Sequence, residues 1–257
     1  MSGLRPLWLR VARRVLGATA LDHLVRVEPV LALLEDLGGG TLLDAGSGSV
    51  GLSPWLGEPW SVTAVDTSFD DYGASRGFSG SARAVIADVR ELPFEDRSFD
   101  AVVALDLLEH VPAEDRDGAL AELCRVTRRR LVVGGPTGEE ALAADRRLFD
   151  VLRRRPGWLT EHLDMGFPTR GQLVSALEPR GVLHLIGNES VESHVRLVRV
   201  ELSVGGFLAG RLAAIPLARA LRGRGRRRAL AARLLRRIRG SDRPPVYRTI
   251  AVLDVSH

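Results

Sequence analysis

From about Ala20 to Val191, short apolar runs alternate with stretches of helical spacing. "LDHLVRVEPVLALLEDLGGG" repeats Leu and Val at helical intervals and stops at a glycine cluster, as a helix C-terminus does. Four runs rich in β-branched residues follow, "TLLDA", "SVTAVD", "RAVIAD" and "FDAVVAL", each ending at or near an acid or a turn. Such runs mark buried parallel strands. "AEDRDGALAELCRVTR" predicts a helix, "RRLVVGG" a fifth strand and "EEALAADRRLFDVLRR" another helix. A loop is expected through Pro156, Gly157, Gly166 and Pro168. A helix in "TRGQLVSALEPRG", a sixth strand in "VLHLIGNES" and a last strand in "YRTIAVLDV" complete the pattern. The alternation predicts an α/β fold with a doubly wound, mainly parallel seven-stranded sheet, whose ligands bind beyond the carboxyl ends of the strands.

Roughly forty residues, 203–245, precede the last strand, more than an ordinary loop needs, so a helical insertion is expected there. "RRRALAARLLRRIRG" puts Leu230, Leu234, Leu235 and Ile238 on one helical face and Arg226, Arg227, Arg233, Arg236 and Arg237 mostly elsewhere. "GGFLAGRLAAIPLARAL" is its more apolar partner, with a bend expected at Pro216. The organisation expected is one domain over 1–257, with a basic helix at 1–20 and the Arg-rich insertion at 203–245.

Composition adds a charge asymmetry. All 36 basic residues of the 257 are Arg, and 45% hydrophobic content suffices for a sizeable core. Between Arg211 and Arg243 stand twelve Arg and one acid, so this stretch is +11 and the rest of the +4 chain is −7. A basic helical surface suits an anionic membrane. Nucleic acid is the weaker partner, because no aromatics interleave the arginines for base stacking; a solvated or self-associating surface is the plainer alternative. The lone Cys124 excludes an intramolecular disulfide framework and fits a reducing cytoplasm as a small buried hydrophobe. Arg10, Arg13 and Arg14 interrupt the N-terminal apolar stretch, which excludes a signal-peptide core there. No run approaches the roughly twenty apolar residues of a membrane span, so the expected location is cytoplasmic, membrane-peripheral at most.

The chemistry begins at "LLDAGSGSVG". Gly46 and Gly48 lack Cβ, so the chain can turn sharply after strand one and let a ligand approach its N–H groups. Asp66 closes strand two, where a carboxylate can accept ribose hydroxyls. The spacing of Gly46, Gly48 and Gly51 suits NAD equally, or a tight turn with no ligand. Asp44 discriminates, because a carboxylate just before the loop opposes a pyrophosphate and favours a sulfonium and an α-ammonium. Asp88, after strand three, can accept from an adenine amino group while Val89 supplies a backbone contact.

"LLDAGSGSVG", "VTAVDTS" and "ADVRELPFEDRSFDAVVALDLLEHVP" together resemble class I S-adenosylmethionine-dependent methyltransferases, over about residues 21–135. The resemblance is nearest to a bacterial branch with an L-P-F-x-D-x-S-F-D segment followed by L-E-H. The family has Gly where Val50 stands, and Gly51 lies one step later. The resemblance implies S-adenosyl-L-methionine as cofactor and a Rossmann-like methyltransferase sheet. It implies Asp44, Gly46 and Gly48 at the methionine end and Asp66, with Thr67 beside it, at the ribose. Asp88 and Val89 would hold adenine, and the backbone near Ala104 would face the amino-acid portion.

Methyl transfer from a sulfonium is an in-line displacement, so the enzyme aligns a nucleophile and, for a hydroxyl, removes its proton. Asp106, Glu109 and His110 lie just beyond strand four. His110 is a candidate general base. Alternatively the three hold a divalent metal, as a similar E-x-x-E-H set does in ubiquinone-type O-methyltransferases, or Glu109 and His110 only cap the loop. His23, His184, His194 and His257 are scattered and assign no metal set. "RRRPGWLTEHLDMGFPTRGQL" resembles bacterial methyltransferases of surface-glycan assembly. Trp158 would stack on a sugar or ring, and Glu161 or His162 would orient or deprotonate an acceptor; the alternative is core packing. The expected activity is methyl transfer to a small-molecule, glycan or lipid-linked acceptor, most simply at oxygen. An NAD(P)-dependent oxidoreductase and a non-catalytic nucleoside-binding regulator stay open, while the lack of a G-x-S-x-G elbow leaves hydrolase chemistry without support.

Overall fold

Every β-branched run joins one sheet, whose central strands are buried on both faces. A computed structural model of the chain describes residues 21–48, 50–69, 82–152, 155–203 and 206–255. The strands are β1 (Gly40–Ala45), β2 (Trp60–Asp66), β3 (Arg83–Ile86), β4 (Phe99–Leu105), β5 (Thr127–Pro136), β6 (Gly181–Ser190) and β7 (Val246–Val255). Their order is β3-β2-β1-β4-β5-β7-β6. The first five are parallel, and β7 inserts antiparallel between β5 and β6. The chain leaves in opposite directions on either side of β1 and β4, which opens a crevice at their carboxyl ends.

Eight helices are described: α1 (Leu21–Leu33), α2 (Arg116–Val126), α3 (Gly138–Val151), α4 (Gly157–Met165), α5 (Arg170–Leu177), α6 (Val191–Leu202), α7 (Gly206–Arg222) and α8 (Arg226–Arg239). Alternate residues of the central strands point to opposite layers. Leu43, Val102, Leu131 and Val133 pack with Leu120 and Leu123 of α2 and Leu173 and Leu177 of α5. Leu42, Ala101, Val103 and Val132 pack with Leu24 and Val27 of α1, Ala214 and Ala218 of α7, and Leu235 of α8. Cys124 is buried within the first layer, and burial pushes its thiol up to about 11.

Three expectations need correction. The segment expected as a loop between Pro156 and Pro168 contains α4, which ends at Gly166 with φ +63°. The insertion starts at Val191 rather than 203 and has three helices, α6 to α8. It packs into the fold, where α1, α7 and α8 together form the layer over one face of the sheet. On α8, Leu235 is buried, while Leu230 and Leu234 are 59% and 39% exposed. Ion pairs explain that rotation: Arg236 and Arg239 meet Glu28 at 2.8 and 3.1 Å, and Arg228 meets Glu35 at 2.6 Å. The basic helix expected at 1–20, and His257, lie outside the described residues. Among the described residues, no helix is long and apolar enough to cross a membrane.

Leu235→Ala should therefore cost about 2–4 kcal/mol of stability, whereas Leu230→Ala should change it by less than about 0.5 kcal/mol. Urea unfolding of the two variants reads the difference.

Candidate active site

The glycine loop follows β1 directly. Gly46, Gly48 and Gly51 all take positive φ, at +70°, +56° and +57°. A Cβ on Gly46 would lie 2.8 Å from Leu107, and one on Gly51 would run into the Asp44 carboxylate. Gly51, one step later than the resembled pattern, is thus the position that admits Asp44 beneath the loop. Asp44 Oδ2 accepts the Leu52 N–H at 2.6 Å, and Asp66 Oδ2 accepts the Gly48 N–H at 2.8 Å. Burial, opposed by the Leu52 bond and aided by the Asp66 charge, pushes the Asp44 carboxyl up to about 7. A buried carboxyl with no cation beside it is suited to a positively charged ligand, and the bare backbone before it suits close approach.

The remaining donor-side residues are placed as follows. Thr67 is exposed beside Asp66, with its hydroxyl 3.5 Å from Oδ1. Asp88 is engaged by Arg90, whose Nη2 lies 2.6 Å away, and these hydrogen bonds hold its carboxyl below the usual range. An adenine amino group would share that carboxylate with Arg90. Val89 is buried in the core, and Ala104 is fully buried within β4, paired with Ala45 and Val133. A cavity of about 490 Å³ borders Asp44, Gly46, Gly48 and Gly51 at one end; beside β4 its wall is Leu105 and Asp106 rather than Ala104.

Asp106 sits at the cavity floor with φ +48°. Arg26 of α1 donates to its Oδ2 at 2.6 Å, and Arg248 of β7 lies 3.4 Å from its Oδ1. Burial alone would raise this carboxyl, but the Arg248 and Arg26 charges outweigh it and hold Asp106 at about 2. Asp106 is therefore an ionised anchor committed to two guanidinium groups. Arg26 also pairs with Asp22 at 2.8 Å, and Arg248 faces Glu189 at 3.5 Å.

The far end of the cavity holds Glu109, His110, Trp158 and His162. His110 Nδ1 donates to Glu161 Oε2 at 3.0 Å, and His162 Nδ1 donates to Asp145 Oδ2 at 2.7 Å. The two rings lie 5.5 Å apart, centre to centre. Burial, together with the neighbouring His162, pushes His110 down despite Glu161. Glu109 is 1% exposed, and burial with the nearby Asp106 charge raises its carboxyl well above the ordinary range. One side chain binds the two segments together: Arg116 donates to the carbonyls of Leu108, Val111, Met165 and Gly166 at 2.7–3.1 Å. The loop after β4 and the end of α4 thus share one anchor.

Several residues here escaped the sequence analysis. Asp145 receives the Tyr247 hydroxyl at 3.0 Å as well as His162, and His194 stacks on Tyr247 at 3.3 Å. His23 and His194, expected to be isolated, both line the cavity, and burial beside Arg26 pushes His23 down to about 4. Arg248 had one visible signal, a cation inside the otherwise apolar last strand. The corresponding signal for Asp22, His23 and Arg26 was polar residues at helical spacing within the first helix.

Residues 43–132, the segment bearing the glycine loop, Asp66, Asp88 and the strand-four acids, match a family model described as a methyltransferase domain. Over these residues the chain is similar to methyltransferase domains. Two solved structures are similar over nearly the whole chain. The PH0226 protein from Pyrococcus horikoshii OT3 is 15% identical with a TM-score of 0.52, over 99% of this chain and 100% of its own. The plantazolicin methyltransferase BpumL is 13% identical with a TM-score of 0.58, over 97% of this chain and 90% of its own. At these identities the shared feature is the fold.

Two measurements check the geometry. Arg116→Met should cost at least about 2 kcal/mol in urea unfolding, because four carbonyls lose a charged donor. Asp44 titrates near 7 folded against 3.8 in its unperturbed state, so between those values the folded chain holds a proton that the unfolded chain has released. Its contribution to stability is complete below about pH 4 and is lost as pH rises to 7. The stability of the wild type minus that of Asp44→Asn should therefore fall between pH 5 and 7; a constant difference contradicts the buried carboxyl.

Proposed function

We propose that the protein moves a methyl group from S-adenosylmethionine to a hydroxyl oxygen of a small polar acceptor. The observation carrying this is the single cavity that joins the Asp44 glycine loop to Glu109, His110 and His162. Its volume lies within the range of small-molecule sites. Bound at the glycine loop, S-adenosylmethionine supplies an electrophilic methyl group whose sulfur leaves as a neutral thioether. Asp44, Gly46 and Gly48 hold its cationic end, Asp66 and Thr67 its ribose, and Asp88 and Val89 its adenine. At the acceptor end, His110 and His162 draw away the hydroxyl proton beside Glu109, with Glu161 and Asp145 orienting the two imidazoles. Trp158 offers a flat apolar face to a ring or sugar. The plantazolicin methyltransferase, of similar fold, was captured with a pentazolic desmethylPZN analog and SAH.

An acceptor carried on a glycan or lipid is a second reading, favoured by one surface on α8. Arg226, Arg227, Arg233 and Arg237 are exposed there and make no ion pair among the described residues, and exposed Leu230 and Leu234 lie among them. That mixture matches an anionic membrane surface. We treat residues 1–257 as one catalytic domain with the insertion as an integral layer, in the cytoplasm, where a single buried Cys124 is at home.

Calorimetric titration with S-adenosylmethionine, its demethylated product and NADH tests the cofactor half. The first two should bind, at least about tenfold more weakly in Asp66→Ala; binding of NADH alone overturns the proposal. Sedimentation with vesicles tests the surface. Phosphatidylglycerol vesicles should retain the protein and phosphatidylcholine vesicles should not. R226S/R233S/R237S should weaken retention by about a hundredfold, at about 1 kcal/mol per arginine.

A further inference from the structure

The metal alternative weighed on the sequence grouped Asp106 with Glu109 and His110. The structure separates them, because Asp106 belongs to Arg26 and Arg248. His162 of α4 stands beside the other two instead, and each of Glu109, His110 and His162 offers a ligand atom within 4.8 Å of the others.

We propose that Glu109, His110 and His162 form a site for one divalent transition-metal ion at the acceptor end of the cavity. Three independent features of the cluster support it. First, each imidazole has its Nδ1 already committed to a carboxylate, His110 to Glu161 and His162 to Asp145. This fixes the tautomer and leaves each Nε2, which has no hydrogen-bond partner among the described residues, available as a ligand. Metal-bound histidines have this arrangement as a rule, with a carboxylate behind the ring. Second, Glu109 Oε2 is buried and has no hydrogen-bond partner, though its side chain borders the cavity. A buried carboxyl oxygen without a hydrogen-bond partner is costly, and a cation is one partner that could meet it. Gly135 keeps that oxygen's place free, since a Cβ there would lie 3.1 Å from it. Third, Arg116 ties the loop carrying Glu109 and His110 to the end of α4, so the donor set is held by hydrogen bonds rather than by chance proximity.

The other histidine–carboxylate group, Asp22, Glu189 and His194, lacks this character. Its two carboxylates already face the guanidinium groups of Arg26 and Arg248. Two imidazoles and one carboxylate favour a transition metal over Mg²⁺ or Ca²⁺, whose ligands are oxygens, and leave coordination positions open. Resting on the proposed methyl transfer to oxygen, the cation would replace the imidazoles in handling the proton: it would bind the acceptor hydroxyl and lower its pKa beside the methyl donor, so that the proton passes to solvent. The substrate class that follows is an acceptor able to place an oxygen ligand at the metal.

The test uses the tag-free full chain, stripped with chelator and titrated with Co²⁺, whose visible bands report nitrogen and oxygen ligation. Saturation at one Co²⁺ per chain is expected, undiminished by millimolar Mg²⁺. Glu109→Gln and His110→Ala should each weaken it at least tenfold, and Asp145→Asn, behind His162, about tenfold or more. Binding of the demethylated cofactor, measured on the same samples, establishes that each variant is folded. No saturable Co²⁺ binding, or binding indifferent to both Glu109→Gln and His110→Ala, overturns the metal site. Co²⁺ binding as expected in a chain that binds no cofactor would leave the metal site standing and sink the methyltransferase proposal instead.

Discussion

Asp106 is pulled from two sides, and the architecture of the site depends on that pull. Arg26 reaches it from α1 and Arg248 from β7, elements that enter the fold more than two hundred residues apart. The same two arginines engage Asp22 and Glu189, so α1, β4, β6 and β7 meet at one buried set of charges. Buried ion pairs add little net stability, since desolvation offsets most of their attraction, but they penalise every arrangement that leaves a charge alone. Asp106 also holds a left-handed backbone conformation, which turns the chain off β4 and aims the Glu109–His110 segment at the cavity.

With that floor fixed, the cavity divides into two chemical halves. Its glycine end is backbone amides and the buried Asp44, whose carboxyl is raised by burial, an environment short of positive charge. Its other end is imidazoles braced by carboxylates, an environment built to manage a proton. A methyl donor that is cationic before reaction and neutral afterwards fits the first half, and an acceptor that must lose a proton fits the second. The insertion between β6 and β7 closes this space through α6, whose His194 and Glu201 line the cavity together with α1.

The strands and the donor end were legible in the sequence because their signals are local. A β-branched run reports its own burial, and a glycine at positive φ stands next to the turn that requires it. α4 was hidden because Pro156 and Gly166, nine helical residues apart, look like loop punctuation when no tertiary contact is visible. The anchors were hidden because their partners are distant: Arg26 and Asp106 are 80 positions apart, and Tyr247 and Asp145 are 102. For Asp88, the adjacent Arg90 that claims its carboxylate was readable in the sequence, but only geometry shows the claim. Likewise Leu230 and Leu235 look equivalent by helical periodicity. The Glu28 and Glu35 ion pairs decide which of them is buried.

The central claim is that donor and acceptor halves meet across one cavity above Asp106. A crystal structure of the chain with the demethylated cofactor tests it most directly. The account predicts the nucleoside beside Asp66 and the thioether sulfur over the glycine loop. The sulfur should face Glu109, His110 and His162, with room between them for an acceptor oxygen about 3 Å from the position of the methyl carbon. A sulfur turned away from those three residues, or a cofactor seated outside the cavity, would contradict it.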